Sequence, residues 1–261
     1  MELHRNEGPL LLPNAYDRGS AGLLATLGFD ALATTSSGAA ATFGRLDGGL
    51  DRDESLDNAS AIVMATDLPV SADLGNGFAA DLDGVARTVS LAAAIGVAGV
   101  SIEDASGSDS SPIYEIQEAV DRITAAAEVA HGGGADVVLT ARSENYLFGR
   151  LDLKDTIGRL QAYQDAGADV LFAPGLCSIS DIQTLVASVD RPVNVLLVPD
   201  APTVQELADA GVKRISVGGA FAFAAYGTMV DAATEFRDQG TATYLRLAAA
   251  GKDAVRRSFL R

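Results

Sequence analysis

The residues able to do chemistry in this chain stand at the ends of short apolar runs. Asp73 closes Pro-Val-Ser-Ala-Asp, and the glycine-rich turn Leu74-Gly75-Asn76-Gly77-Phe78 follows at once. Glu103 and Asp104 end Ser-Ile-Glu-Asp, Arg142 stands in Thr-Ala-Arg-Ser-Glu, and Ser36, Ser37 and Gly38 follow Thr34-Thr35, with Asp47 in the loop beyond. A buried parallel strand delivers a charged group to the rim of a sheet in this way, and the glycines after it let backbone approach a ligand. Carboxylate oxygens are hard ligands that suit Mg2+, an ion that keeps several waters and needs few direct carboxylates. Arg142 could grip a carboxylate bidentately. Amides of the Ser36-Ser37-Gly38 turn could face a developing oxyanion. A single acid at a strand end is often only a helix cap or a loop ion pair. Several at the same end of consecutive strands point to one site.

Other polar residues read more plainly. Asp104 is expected to cap or support rather than to bind a metal. His4 and His131 are expected at the surface, so no histidine-based metal site or triad is anticipated. Cys177 has no histidine partner in view and reads as an inert thiol.

Eight apolar segments must position these groups: 10–15, 30–35, 69–73, 98–103, 136–142, 169–173, 192–198 and 214–218. Amphipathic stretches at 17–27, 52–66, 82–95, 116–130, 153–166, 179–189 and 203–210 separate them as predicted helices. The glycine- and alanine-rich segment 36–49 carries no regular assignment, 106–112 reads as loop, and the glycines at 132–134 end a helix. Alternating strands and helices with continuous apolar strands imply a parallel sheet. Eight such units close most naturally into a (β/α)8 barrel with its site at the strands' C-terminal ends. The alternative, a doubly wound open sheet, lacks the GxGxxG turn after its first strand. The sequence predicts one domain over 1–261, with 220–261 as a helical extension beyond what a barrel needs.

Composition sets the outer limits. With 261 residues, 48% of them hydrophobic, the chain can build a substantial core. A net charge of −16 argues against nucleic acid and anionic membrane as partners. One cysteine excludes an internal disulfide and fits a reducing setting; with no apolar core after Met1-Glu-Leu-His-Arg5 and no run of membrane length, a soluble, cytoplasmic protein is expected.

The chain resembles the isocitrate lyase/phosphoenolpyruvate mutase superfamily over about residues 10–247. The matching pieces are Asn14-Ala-Tyr-Asp-Arg-Gly-Ser-Ala21, Thr34-Thr-Ser-Ser-Gly38, Gly44-Arg-Leu-Asp47, Pro69 through Phe78, Gly99-Val-Ser-Ile-Glu-Asp104 and Ala141-Arg142. The resemblance implies a (β/α)8 barrel in a homo-oligomer, dimer or tetramer, with a C-terminal helix exchanged between subunits. It implies Mg2+, with Mn2+ as the alternative, and a small 2-oxo or 2-hydroxy acid that passes through an enolate-like species. Carried across, Asp73 is the direct metal ligand, and Asp47 and Glu103 hold water around the ion. Ser36, Ser37 and Gly38 cradle the carboxylate and oxyanion, Arg142 anchors the substrate, and Tyr16 borders the pocket as a candidate catalytic group, its ring equally suited to core packing.

Two departures narrow this. The family pattern Asp-x-Asp/Glu-x-Gly-Tyr/Phe-Gly becomes Asp73-Leu-Gly75-Asn-Gly77-Phe78-Ala79, so a second carboxylate is missing at Gly75. The segment Ala105-Ser-Gly-Ser-Asp-Ser-Ser-Pro112 carries neither the thiol motif of the isocitrate-cleaving members nor the mutase's lysine. The general acid/base of those reactions has no agent here. The expectation is a Mg2+-assisted lyase of a small 2-oxo acid, resembling oxaloacetate decarboxylase. The alternatives are cleavage of a substituted malate, P–C hydrolysis of phosphonopyruvate, and a non-catalytic barrel that binds 2-oxo acids.

Overall fold

The computed structural model describes residues 1–132, 134 and 136–259. The middle of the predicted 132–134 turn and the last two residues of the 220–261 extension lie outside the described residues. After a short 3-10 turn (Glu2–Arg5), the chain runs β1 (Leu10–Leu12), β2 (Asn14–Ala15), α1 (Arg18–Leu24), β3 (Leu32–Thr34), α2 (Ser36–Thr42), α3 (Arg52–Val63), β4 (Val70–Asp73) and α4 (Leu82–Ile95). It continues through β5 (Gly99–Glu103), α5 (Ile116–Ala130), β6 (Val138–Arg142), α6 (Leu153–Asp165), β7 (Val170–Phe172) and α7 (Ile179–Ala187). The last elements are β8 (Val193–Leu196), α8 (Val204–Asp209), β9 (Arg214–Ser216), α9 (Ala220–Gln239) and α10 (Leu245–Phe259).

All strand pairings are parallel, in the order β1-β9-β8-β7-β6-β5-β4-β3-β2. The single predicted strand 10–15 is divided at Pro13, which has no N–H to continue a ladder. Its first half pairs with β9 and its second with β3. The divided strand therefore closes the cylinder, and the open-sheet alternative falls. Asn14 clamps the closure: its Nδ2 donates to Thr34 O at 2.7 Å, and its Oδ1 accepts from the amides of Val217 (3.0 Å) and Gly218 (2.9 Å).

Strand parity sorts the side chains. Ala72, Val100, Ile102, Leu139, Ala141, Val193, Val195 and Ile215 point outward and join the main core against the helices. The alternate residues Ser71, Asp73, Ser101, Arg142, Asn194, Arg214 and Ser216 line a pocket on the barrel axis. The interior is polar where a (β/α)8 barrel is commonly filled by branched apolar layers.

Three predictions need correction. Part of the unassigned 36–49 segment is α2, whose N-cap Thr35 accepts from the Gly38 amide at 3.4 Å. The first helices end sooner than predicted, at Leu24 and Val63. His4 is buried rather than at the surface, and neither ring nitrogen has a partner among the described residues. It packs under the N-terminal mouth of the barrel beside a lower chamber of about 800 Å3. His131 is exposed as expected and meets Asp169 at 2.8 Å.

The extension adds two helices. Gly38 of α2 approaches Ala222 of α9 so closely that a Cβ on the glycine would come within 3.2 Å of the Ala222 Cβ. In this chain α10 lies on its own α1: Ser258 and Thr26 hydroxyls meet at 3.1 Å, and Phe259 covers Gly22. No described helix is long and apolar enough to cross a membrane.

Candidate active site

Asp73 is the last residue of β4, and the turn after it is held open by glycine conformations. Gly75 (φ +51°) and Gly77 (φ +88°) adopt left-handed backbone, and Phe78 follows at φ +53°. A Cβ at Gly77 would press on Val85 at 3.0 Å, so the turn packs tightly onto α4. The buried Arg122 braces it from α5, donating from Nη2 to the carbonyls of Asn76 (2.7 Å) and Ala79 (2.6 Å). Bulky residues held at positive φ cost energy that the surrounding contacts must offset, and such turns cluster at functional sites.

The Asp73 carboxylate is fixed from four directions. It accepts from the amides of Ser36 and Gly75 and from the Ser101 hydroxyl, each at 3.3 Å, and from Arg142 Nη1 at 3.1 Å. The Asp73 amide in turn donates to Thr34 Oγ1 at 2.8 Å. Arg142 ends β6, and its guanidinium is shared among three acids. Nη1 also meets Glu103 Oε2 at 3.1 Å, and Nε donates to Glu144 Oε1 at 2.9 Å. Its carbon lies 5.4 Å from the centre of the Phe172 ring.

Three carboxylates around one guanidinium leave excess negative charge in a dry place. Burial pushes the Glu103 carboxyl up; Arg142 opposes this, and Glu144, Asp73 and Asp47 add to it. Glu144 is likewise pushed up by burial, against the pull of Arg142. Burial works against the charged form of Arg142 too, but Glu103, Glu144 and Asp73 hold it well above the ordinary arginine value. The cluster is a ready place for further positive charge.

Asp104 does support rather than line the pocket, as expected. It is buried and accepts from Tyr163 Oη (2.7 Å), Arg159 Nη1 (3.2 Å) and the Glu144 amide (2.7 Å). It thereby seats Glu144 against Arg142. Burial raises the Asp104 carboxyl, and its hydrogen bonds from Tyr163, the Glu144 amide and Arg159 act in the opposite sense.

The pocket at the strands' C-terminal ends holds about 170 Å3, room for a compact organic acid. Of the residues expected in it, Ser36, Ser37, Asp47, Asp73 and Arg142 line it. Glu103 is not among the lining residues; it meets the Arg142 nitrogen that also meets Asp73. Gly38 is buried and gives its amide to the Thr35 cap, and the Ser36 amide is given to Asp73, so of the three expected cradle amides that of Ser37 remains. Tyr16 is not among the lining residues; it packs beside Gly38, and burial raises its phenol, which makes it a poor base. Cys177 is half-buried with its thiol raised by burial, consistent with an inert role.

Sequence reasoning missed Glu144, Ser101, Asn194, Arg214 and Ser216. The available signal was a polar side chain recurring at the inward parity of otherwise apolar strands, as in Val193-Asn194-Val195 and Arg214-Ile215-Ser216.

The donor set tests whether a divalent ion suits this pocket. Among the described residues no three acidic, histidine or cysteine side chains converge into an all-protein metal cage. The available donors, Asp73 and Asp47 in the pocket and Glu103 against Arg142, are all oxygen. That fits Mg2+ or Mn2+ held by one direct carboxylate with its own waters, and fits a soft or imidazole-preferring metal poorly.

A closed parallel barrel with acids and a guanidinium at its C-terminal mouth defines a (β/α)8 protein built to receive a small ligand at that end. The comparisons with known proteins agree. The phosphoenolpyruvate phosphomutase family model matches residues 1–237, and the chain belongs to that family. A crystal structure of a lyase/mutase candidate from Burkholderia cenocepacia superposes with a TM-score of 0.94 at 49% identity, over 98% of this chain and 93% of that one. An uncharacterised Mycobacterium tuberculosis protein is 32% identical over 83% of this chain and 80% of its own length. The oxaloacetate decarboxylase of Chromohalobacter salexigens is 29% identical over 71% of this chain and 65% of its own.

Proposed function

We propose that the protein is a Mg2+-assisted carbon–carbon lyase of a small 2-oxo acid, acting on an oxaloacetate-like substrate by decarboxylation. The observation that carries this reading is the fixed Asp73–Arg142–Glu103 cluster at the mouth of a 170 Å3 pocket. The Chromohalobacter relative bears the same activity in its name. The loop after Glu103 lacks a thiol, an imidazole or an amine, which favours a reaction needing little proton transfer.

Asp73 would hold the ion directly, with Asp47 and Glu103 reaching it through water. When bound, the ion supplies a Lewis acid for the 2-oxo oxygen. Arg142 keeps Asp73 and Glu103 in place, and its Nη2, without a partner among the described residues, would be left for the anion. Ser36 and Ser37 line the pocket at the head of α2; with the Ser36 amide held by Asp73, the Ser37 amide would serve the oxygen on which charge develops. The C3–C4 bond then breaks, CO2 leaves, and the pyruvate enolate takes a proton from solvent at C3.

Exposed apolar side chains on α9 and α10, among them Phe223, Phe236 and Leu247, support a homo-oligomer, dimer or tetramer. The test of function is CO2 release from oxaloacetate above the rate with Mg2+ alone. A protein that binds 2-oxo acids, shown by a melting shift, yet leaves that rate unchanged would be a binding barrel instead.

A further inference from the structure

Arg214 is a buried guanidinium with no acid in hydrogen-bond or ion-pair contact among the described residues. It is 5% exposed, and its only polar partners among the described residues are neutral: Nε donates to Asn194 Oδ1 at 3.0 Å and Nη2 to Thr140 Oγ1 at 2.9 Å. Nη1 has no partner among the described residues. Asn194 is itself fixed, donating from Nδ2 to Ser216 Oγ at 3.0 Å. A desolvated cation held only by dipoles is costly, and burial alone brings its pKa down to about 9.

Its position suggests why it is kept. Arg214 is the first residue of β9, whereas Asp73 is the last of β4, so in a parallel barrel its stem enters below the level of Asp73. It lines both the upper pocket and the lower chamber, as do Leu12 and Ser71, and is the charged member of the partition between them. The small inward residues Ser71 and Ser101 line the same pocket and take up little of the space above the Arg214 guanidinium. The other cation lining this pocket, Arg142, is already engaged by Asp73, Glu103 and Glu144. Only one of its terminal nitrogens remains for a ligand.

We propose that Arg214, not Arg142, is the principal anchor for the carboxylate that the substrate retains, drawing that end of a 2-oxo acid to the floor of the barrel. The group that leaves then points toward the open mouth. The assignment rests on the 2-oxo-acid reading above and sharpens it. Entry of a carboxylate gives the guanidinium the counter-charge the fold withholds, so little reorganisation is needed on binding.

The experiment compares pyruvate with its neutral isostere pyruvamide by calorimetry, in wild type, Arg214→Gln, Arg214→Lys and Arg142→Gln, with folding followed by circular dichroism. The wild type should favour pyruvate by at least about tenfold. Arg214→Gln should bring the ratio close to one by weakening pyruvate while leaving pyruvamide unchanged; Arg142→Gln should preserve most of it. Arg214→Lys, which keeps the charge, should lie between and covers the case in which the glutamine variant does not fold. A general packing defect would weaken both ligands together and leave the ratio intact, and that result overturns the proposal. So does loss of the preference in Arg142→Gln alone. Pyruvate selectivity that depends on Arg214 without CO2 release from oxaloacetate sustains the anchor and removes the lyase reading. A wild type that shows no preference removes the anchor.

Discussion

Asp73 on β4 and Arg142 on β6 meet at 3.1 Å across the intervening strand β5. Glu103, the last residue of β5, contacts the same Nη1 at 3.1 Å. Three neighbouring strands thus end on one shared proton donor. Parallel register makes this possible: Asp73 is level with Ser101, and Glu103 with Arg142. The constellation is pre-formed by backbone pairing rather than by loop closure, so substitutions within it should change chemistry more than folding.

Gly75 offers a direct test of the missing carboxylate. No atom lies within 4 Å of a Cβ built there, so Gly75→Asp meets no clash. Its φ of +51° costs a non-glycine residue about 1 kcal/mol, less for aspartate than for most. The variant should melt slightly lower and bind Mn2+ about tenfold more tightly, as measured by electron paramagnetic resonance titration.

Tyr163→Phe should separate support from chemistry. The phenol donates to Asp104 at 2.7 Å in a buried network, and burial together with the Asp104 charge raises its pKa. Removing the hydroxyl should cost ~1–2 kcal/mol in urea unfolding. Asp104 keeps Arg159 and the Glu144 amide, so catalytic parameters should change little.

His4 sets an acid limit on stability. Burial, then the charge of Arg214, lowers its pKa from 6.5 to about 4. The unfolded chain therefore takes up this proton first as pH falls. The contribution of the neutral ring is complete above pH 6.5 and is lost toward pH 4, by up to ~3 kcal/mol. His4→Phe should flatten the fall in unfolding free energy across that window; an unchanged slope would assign the fall to other groups.

Much of the barrel could be read before the structure because its strands are short, apolar and separated by amphipathic helices. Asp73, Arg142, Ser36 and Ser37 were equally legible, since a charge or turn at the end of an apolar run has few structural reasons to be there. The division at Pro13 was not, because only cylinder closure gives one strand two different neighbours. Helix α2 was hidden by its seven residues and internal glycine, where tertiary contact with α9 outweighs weak propensity. Arg214 and Asn194 escaped notice because inward parity acquires meaning only once the sheet closes around an axis. Tyr16 could be read two ways, since an aromatic after a strand suits a pocket wall or the core equally; here it packs beside Gly38, outside the pocket lining.

The most direct test is CO2 release from oxaloacetate by wild type and Asp73→Ala, each with Mg2+ and against Mg2+ alone. The account predicts turnover clearly above background in the wild type and a loss of at least about a hundredfold in the variant. Equal rates in the two proteins would contradict it.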